Sequence, residues 1–187
     1  KVFLNNTIKD RDRLFLSKPL GTGIVSTAIK KDKADQRIVK KATDVMTTLN
    51  DSAADFAHKY EANAVTDITG FGLFGHLSEM LKNTNLGARI DIKSIPIIEG
   101  VTELILDGFF SSGSQRNLEH VSELIIDNVR DKNLLKLCCD AQTSGGLLIS
   151  IPESQKIDIT EIKATMGLEL WEIGEINTEY IEKINII

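Results

Sequence analysis

Asp67 stands directly before three glycines in the run Thr66-Asp67-Ile68-Thr69-Gly70-Phe71-Gly72-Leu73-Phe74-Gly75-His76. A carboxylate ahead of a glycine-rich turn is suited to holding a cation, while the glycines let a backbone approach a phosphate closely. Gly70, Gly72 and Gly75 also satisfy G-x-G-x-x-G, the fingerprint of a dinucleotide-dependent oxidoreductase. That fingerprint needs a buried strand before the first glycine, small residues in the turn and an acid about 20 residues further on. Ala64-Val65-Thr66 and Asp91 imitate the strand and the acid. Asp67, however, would oppose an incoming pyrophosphate, and Phe71 and Phe74 are bulky, so the dinucleotide reading is disfavoured. A carboxylate beside a phosphate is tolerated when a divalent cation lies between them, which suits Asp67 to a metal-nucleotide site. The competing reading is that Asp67 only caps the following helix and the glycines only permit close packing.

A second loop, Asp140-Ala141-Gln142-Thr143-Ser144-Gly145-Gly146, offers hydroxyls and accessible N–H groups, either as an anion nest or as a tight turn into a strand. His76 near the start of a helix reads more simply as a core or capping histidine than as a base. His58 and His120 have no partner motif and are expected at the surface, and Trp171 is expected to pack. The only cysteines, Cys138 and Cys139, are adjacent and lack metal-ligand spacing; reduced, partly buried thiols are expected. There is no G-x-x-x-x-G-K-[ST] loop, no nucleophile elbow and no metal-binding histidine pair. Nothing in the chain is a complete catalytic constellation.

These residues need elements to position them. The run Arg13-Leu14-Phe15-Leu16-Ser17 predicts a strand ended by Pro19, and the periodicity of Ile38, Ala42, Val45, Met46 and Leu49 predicts a helix from Asp35 to about Leu49. Residues 24–31 fit either helix or strand. Asp51 or Ser52 is expected to cap a next helix. Ala64-Val65-Thr66 predicts a short strand, followed by a helix carrying Leu73, Phe74, Leu77, Met80 and Leu81. Ala88, Ile90 and Ile92 alternate as a half-buried strand, and residues 99–106 predict a helix. Residues 111–117 read as a polar loop that could touch a ligand. A helix around residues 133–138, a strand at 147–151, a helix near 161–165 and strands at about 169–176 and 180–187 complete the chain. Interleaved helices and strands predict an α+β, or α/β layered, domain: a mixed β-sheet flanked by helices.

The 187 residues, 42% of them hydrophobic, suffice for one domain with a real core. A net charge of -5 gives no basic footprint for nucleic acid, and Lys30-Lys31-Asp32-Lys33 and Lys40-Lys41 read as solvated helix faces. No run approaches the roughly 20 apolar residues of a membrane span, and no signal-peptide pattern opens the chain, so a cytoplasmic protein is expected. The start at Lys1, in an apolar run, leads to the expectation of a piece of a longer protein: residues 1–12 as an arm or linker, residues 13–187 as the domain.

Three motifs in order, Lys18-Pro19-Leu20-Gly21-Thr22-Gly23, the Thr66 to His76 run, and Asp140 to Gly146 with Leu147-Leu148, make the chain resemble the C-terminal half of selenophosphate synthetase over nearly its whole length. That family is similar to aminoimidazole ribonucleotide synthetase, thiamine-monophosphate kinase and a hydrogenase maturation factor, all two-domain ATP-using proteins. The resemblance implies a fold like the C-terminal domain of aminoimidazole ribonucleotide synthetase. It implies an enzyme, a selenide, water dikinase, in which ATP, selenide and water give selenophosphate, AMP and orthophosphate with Mg2+. Asp67 matches the family's metal-binding aspartate; Thr66, Gly70, Gly72, Thr143, Ser144, Gly145 and Gly146 would shape the ATP-phosphate site. The nucleophile, its lysine and the remaining ligands would belong to an N-terminal ATP-binding domain, so no catalytic residue is expected in this chain, which alone should be folded but inactive. The resemblance also implies a homodimer. Ser111-Ser112-Gly113-Ser114 departs from the family's Pro-Gly-Gly-Thr-like loop. The alternatives are another ATP-using relative or a non-catalytic assembly module.

Overall fold

A computed structural model describes residues 2–187. In chain order the elements are β1 (Arg13–Leu16), α1 (Thr22–Ile29), α2 (Gln36–Thr47), α3 (Asp51–Lys59), β2 (Ala64–Asp67), α4 (Gly72–Leu81), β3 (Gly87–Ile90), α5 (Val101–Leu106), α6 (Ser112–Val121), β4 (Ile125–Asp127), α7 (Lys132–Cys138), β5 (Leu147–Ile151), α8 (Ile159–Met166), β6 (Trp171–Asn177) and β7 (Ile184–Ile186). The strands form one seven-stranded sheet in the order β2-β5-β1-β6-β3-β7-β4. Pairing is antiparallel from β2 through β3 and parallel where β7 meets β3 and β4. This is the mixed sheet that the alternation of elements predicted.

Helices cover both faces because the strands alternate. In β1, Leu14 and Leu16 join a cluster with Ile24, Val25, Phe74, Leu77 and Met80. Phe15, between them, points to the opposite side and packs with Phe56, Ala57, Ile149 and Ile162. The larger cluster thus lies under α1 and α4, the smaller under α3 and α8. Residues before β1 are tied to the domain: Val65 N–H donates to the Leu4 carbonyl, and the buried Asp12 carboxylate accepts from Lys9 N–H, Asn63 Nδ2 and Ser150 Oγ.

Several local expectations are corrected. Residues 111–117 are not a loop: Ser111 accepts from Ser114 N–H and starts α6, whose polar face mimics loop composition while Ser114 and Val121 are buried. Residues 22–29 are helical. Asn50, not Asp51 or Ser52, occupies the N-cap of α3. The strand expected through Ile92 stops at Ile90, and Ile92–Ser94 is a 3-10 turn. Lys30-Lys31-Asp32-Lys33 is an exposed turn after α1, not a helix face. The last strand, expected from Tyr180, starts only at Ile184, and β4 was hidden because three residues are too few to show a period.

Candidate functional site

Strand β2 is an edge strand, and Asp67 is its last residue. Register places Thr66 opposite Leu148 and Asp67 opposite Leu147 at the start of β5. One residue on, Ile68 N–H donates to the Gly146 carbonyl at 2.8 Å, and Gln142 N–H donates to the Thr69 carbonyl at 2.9 Å. The loop after Asp67 and the Thr143 to Gly146 loop are therefore stitched together. The glycines explain how closely: a Cβ on Gly145 would sit 2.2 Å from the Ile68 carbonyl oxygen. Gly72 has φ +70°, and a Cβ there would lie 2.7 Å from the Cys139 carbonyl carbon. Gly70 has nothing within 4 Å of that position, so no contact among the described residues requires it to be glycine.

The third motif joins through two side chains that composition alone does not single out. Gln142 Oε1 accepts from Gly21 N–H, Thr22 N–H and Thr22 Oγ1 at 3.0 to 3.2 Å, and Thr22 Oγ1 accepts from Thr143 N–H at 2.9 Å. Asp140, fully buried, accepts from the Gly23 and Ile24 N–H groups at 3.1 Å, from Gln142 Nε2 at 2.9 Å and from Ser114 Oγ at 3.0 Å. It is a remote cap for α1, whose own N-cap, Gly21, has no side chain to serve. Burial pushes the Asp140 carboxyl up to about 6, although four donors pull the other way. Ser114 and Asn117, within the segment read as a loop, belong to this framework; Asn117 Nδ2 donates to the Gly70 and Cys139 carbonyls. The signal available in the sequence was Asp140 and Gln142 in one motif facing a bare Gly-Thr-Gly in another.

Against this fixed background Asp67 is free. Its side chain is exposed and makes no hydrogen bond or ion pair among the described residues. It does not cap α4, whose N-cap is Phe71 with no side-chain bond, so the capping reading fails. His76 takes a structural role instead: its Nε2 accepts from Thr69 N–H at 3.1 Å, and burial lowers its pKa more than the nearby Asp67 and Glu79 charges raise it. A neutral ring accepting at Nε2 is not poised as a base. Thr143 presents an exposed side chain with no hydrogen bond of its own, whereas Ser144 Oγ donates to the Met46 carbonyl at 2.8 Å. Cys138 and Cys139 are buried and unpaired, and burial raises both thiols, Cys139 to about 12.

Among the described residues no cluster of three or more metal-ligating side chains occurs. A single exposed carboxylate fits Mg2+, which keeps waters and takes one or two protein carboxylates together with phosphate oxygens. Asp67 alone, among the described residues, offers a carboxylate at this edge, so a metal held here would need further ligands from elsewhere.

Over 183 residues the chain is 42% identical to a selenide, water dikinase from Myxococcus xanthus (strain DK1622), covering 94% of this chain and 51% of the relative. It is 39% identical over 176 residues to a selenide, water dikinase from Escherichia coli (strain K12), covering 94% and 50%. The chain thus spans about half the length of the curated relatives it matches. Among solved structures it superposes on thiamine monophosphate kinase from Aquifex aeolicus with TM-score 0.63 and 14% identity, covering 98% of this chain and 52% of that one. It superposes on the hydrogenase maturation protein HypE in complex with ATP with TM-score 0.61 and 12% identity, covering 97% and 49%. No helix among the described residues is long and apolar enough to cross a membrane. Residues 9–186 match the family model described as AIR synthase related protein, C-terminal domain, and the chain belongs to that family.

Proposed function

We propose that this chain is the C-terminal domain of a selenophosphate synthetase and that it lends Asp67 to a Mg-ATP site completed by an N-terminal ATP-binding domain. The carrying observation is the exposed Asp67, without a hydrogen bond or ion pair among the described residues, at the end of an edge strand and before a loop that two further motifs hold in place. The names of the relatives at 39 to 42% identity support the choice of reaction, and the ATP-bound neighbour supports use of this fold beside ATP.

On this reading, ATP, selenide and water give selenophosphate, AMP and orthophosphate. Asp67 would hold Mg2+ from the sheet edge, and the bound ion would supply screening of the charge on the nucleotide phosphates. Thr66 and the exposed Thr143 would offer hydroxyls to the phosphate site, and Gly145 and Gly146 would let the backbone come close. Asp140, Gln142 and Thr22 do not touch ATP; they fix the loops that do. The same family resemblance carries a homodimeric, cytoplasmic protein with selenide as its second small-molecule substrate.

The test is phosphorus NMR of the full-length protein with ATP, Mg2+ and selenide. Selenophosphate and AMP formed in equal amounts are expected. ATP consumption that does not depend on selenide would sink the assignment.

A further inference from the structure

Lys18 is 5% exposed, yet it has no carboxylate partner among the described residues. Its ammonium donates to the Thr48 carbonyl at 2.6 Å and to the Ser144 carbonyl at 3.1 Å. Burying an unpaired charge is costly, and burial accordingly lowers the pKa of this lysine. Asn50, in the link between α2 and α3, donates from Nδ2 to the next carbonyl of the same loop, that of Gly145, at 3.0 Å.

These two contacts fix peptide planes. In a trans peptide the C=O and the following N–H point in opposite directions. With the Ser144 carbonyl drawn toward Lys18, Gly145 N–H faces away from it; with the Gly145 carbonyl drawn toward Asn50, Gly146 N–H does likewise. Ser144 supports the turn with φ +50°, and its hydroxyl is held by Met46. Gly145 and Gly146 are both buried, yet neither N–H donates to a protein acceptor among the described residues. Consecutive backbone donors that have no protein acceptor and face away from the same supporting side chains make an anion-binding concavity.

From this arrangement we infer that Gly145 N–H and Gly146 N–H form a phosphate cradle and that Lys18 and Asn50 are its positioning residues, acting from behind the loop. The inference deepens the Mg-ATP reading above and rests on it for the identity of the phosphate.

Hydrogen exchange and steady-state kinetics of the full-length protein test it, using Lys18→Met and Asn50→Ala. In the wild type, orthophosphate or Mg-ATP should slow exchange of the Gly145 and Gly146 amides. In Lys18→Met these amides should exchange about tenfold faster without ligand, since a charge-assisted hydrogen bond is worth roughly tenfold or more in an equilibrium. The KM for Mg-ATP should rise about tenfold and kcat stay within about threefold, because only the binding-competent loop population falls. Asn50→Ala should shift the same quantities in the same direction, and it carries the test if Lys18→Met does not fold. Unchanged loop exchange and unchanged KM in the folded variants, or no slowing by either ligand in the wild type, overturns the inference. Wild-type protein without selenide-dependent turnover, but with the expected exchange behaviour, sinks the selenophosphate reading and leaves the cradle standing.

Discussion

Replacing Asp140 separates two contributions that its buried position combines. The carboxylate accepts four hydrogen bonds, from the Gly23 and Ile24 N–H groups, Gln142 Nε2 and Ser114 Oγ. Asp140→Asn keeps the shape, and its oxygen can keep the three donors at Oδ2, while the amide nitrogen turns toward Ser114 Oγ. Asp140→Ala strands all four donors; at about 1 kcal/mol each, Ala should be about 4 kcal/mol less stable than Asn. The charge acts in the other direction. A carboxyl raised from 3.8 to about 6 holds its proton more tightly when folded, so stability falls as pH rises between those values. At about 1.36 kcal/mol per pKa unit the loss reaches on the order of 3 kcal/mol. Asp140→Asn has no such loss, so at neutral pH it should be more stable than the wild type, with the difference fading toward about pH 4. Urea unfolding of the 187-residue chain, followed by the fluorescence of Trp171, the only tryptophan, measures both gaps. If Asn destabilised as much as Ala at neutral pH, attraction between the charge and the α1 N-terminus would outweigh its desolvation, and the reasoning would be refuted.

Gly145→Ala should cost about 2 kcal/mol or more, since its Cβ would lie 2.2 Å from a backbone oxygen, whereas Gly70→Ala should stay within about 0.5 kcal/mol; thermal melts of the two variants make the comparison. Burial lowers the His76 pKa below 6.5, so the folded state binds fewer protons than the unfolded one. The His76 contribution is complete above that pH and is lost as pH falls through the lowered value. Nitrogen NMR of the His76 ring should show an imidazole still neutral somewhat below the ordinary histidine value of about 6.5, and a ring that takes up its proton at or above that value would contradict the Thr69 contact.

The long elements were legible because burial imposes a period on them: Ile38, Ala42 and the half-buried Val45 in α2 and Leu73 to Leu81 in α4 each show a helical stripe, whereas Leu49, expected in the first stripe, lies beyond the end of α2 and is 75% exposed. What escaped was set by contacts distant in sequence. Residues 111–117 have the composition of a loop, and what anchors them as a helix is the Ser111 cap, Ser114 hydrogen-bonded to Asp140, and Asn117 donating to the Gly70 and Cys139 carbonyls. Asp67 as a metal ligand and as a helix cap were indistinguishable in sequence, because both require a carboxylate before a helix. The geometry removes the cap, since α4 starts at Gly72 without help from Asp67. Lys18 looked like part of a motif and nothing more; its role emerges only once Ser144, far along the chain, is seen against its ammonium.

The most direct measurement is the Mg2+ dependence of selenide-driven ATP turnover by the full-length protein and its Asp67→Asn variant. Asp67 makes no hydrogen bond or ion pair among the described residues, so the variant should melt within about 0.5 kcal/mol of the wild type. It should also need about tenfold or more Mg2+ for half its maximal rate, having lost one anionic ligand. Superimposable Mg2+ curves, with equal rates at low Mg2+, would contradict the assignment of Asp67 to the metal.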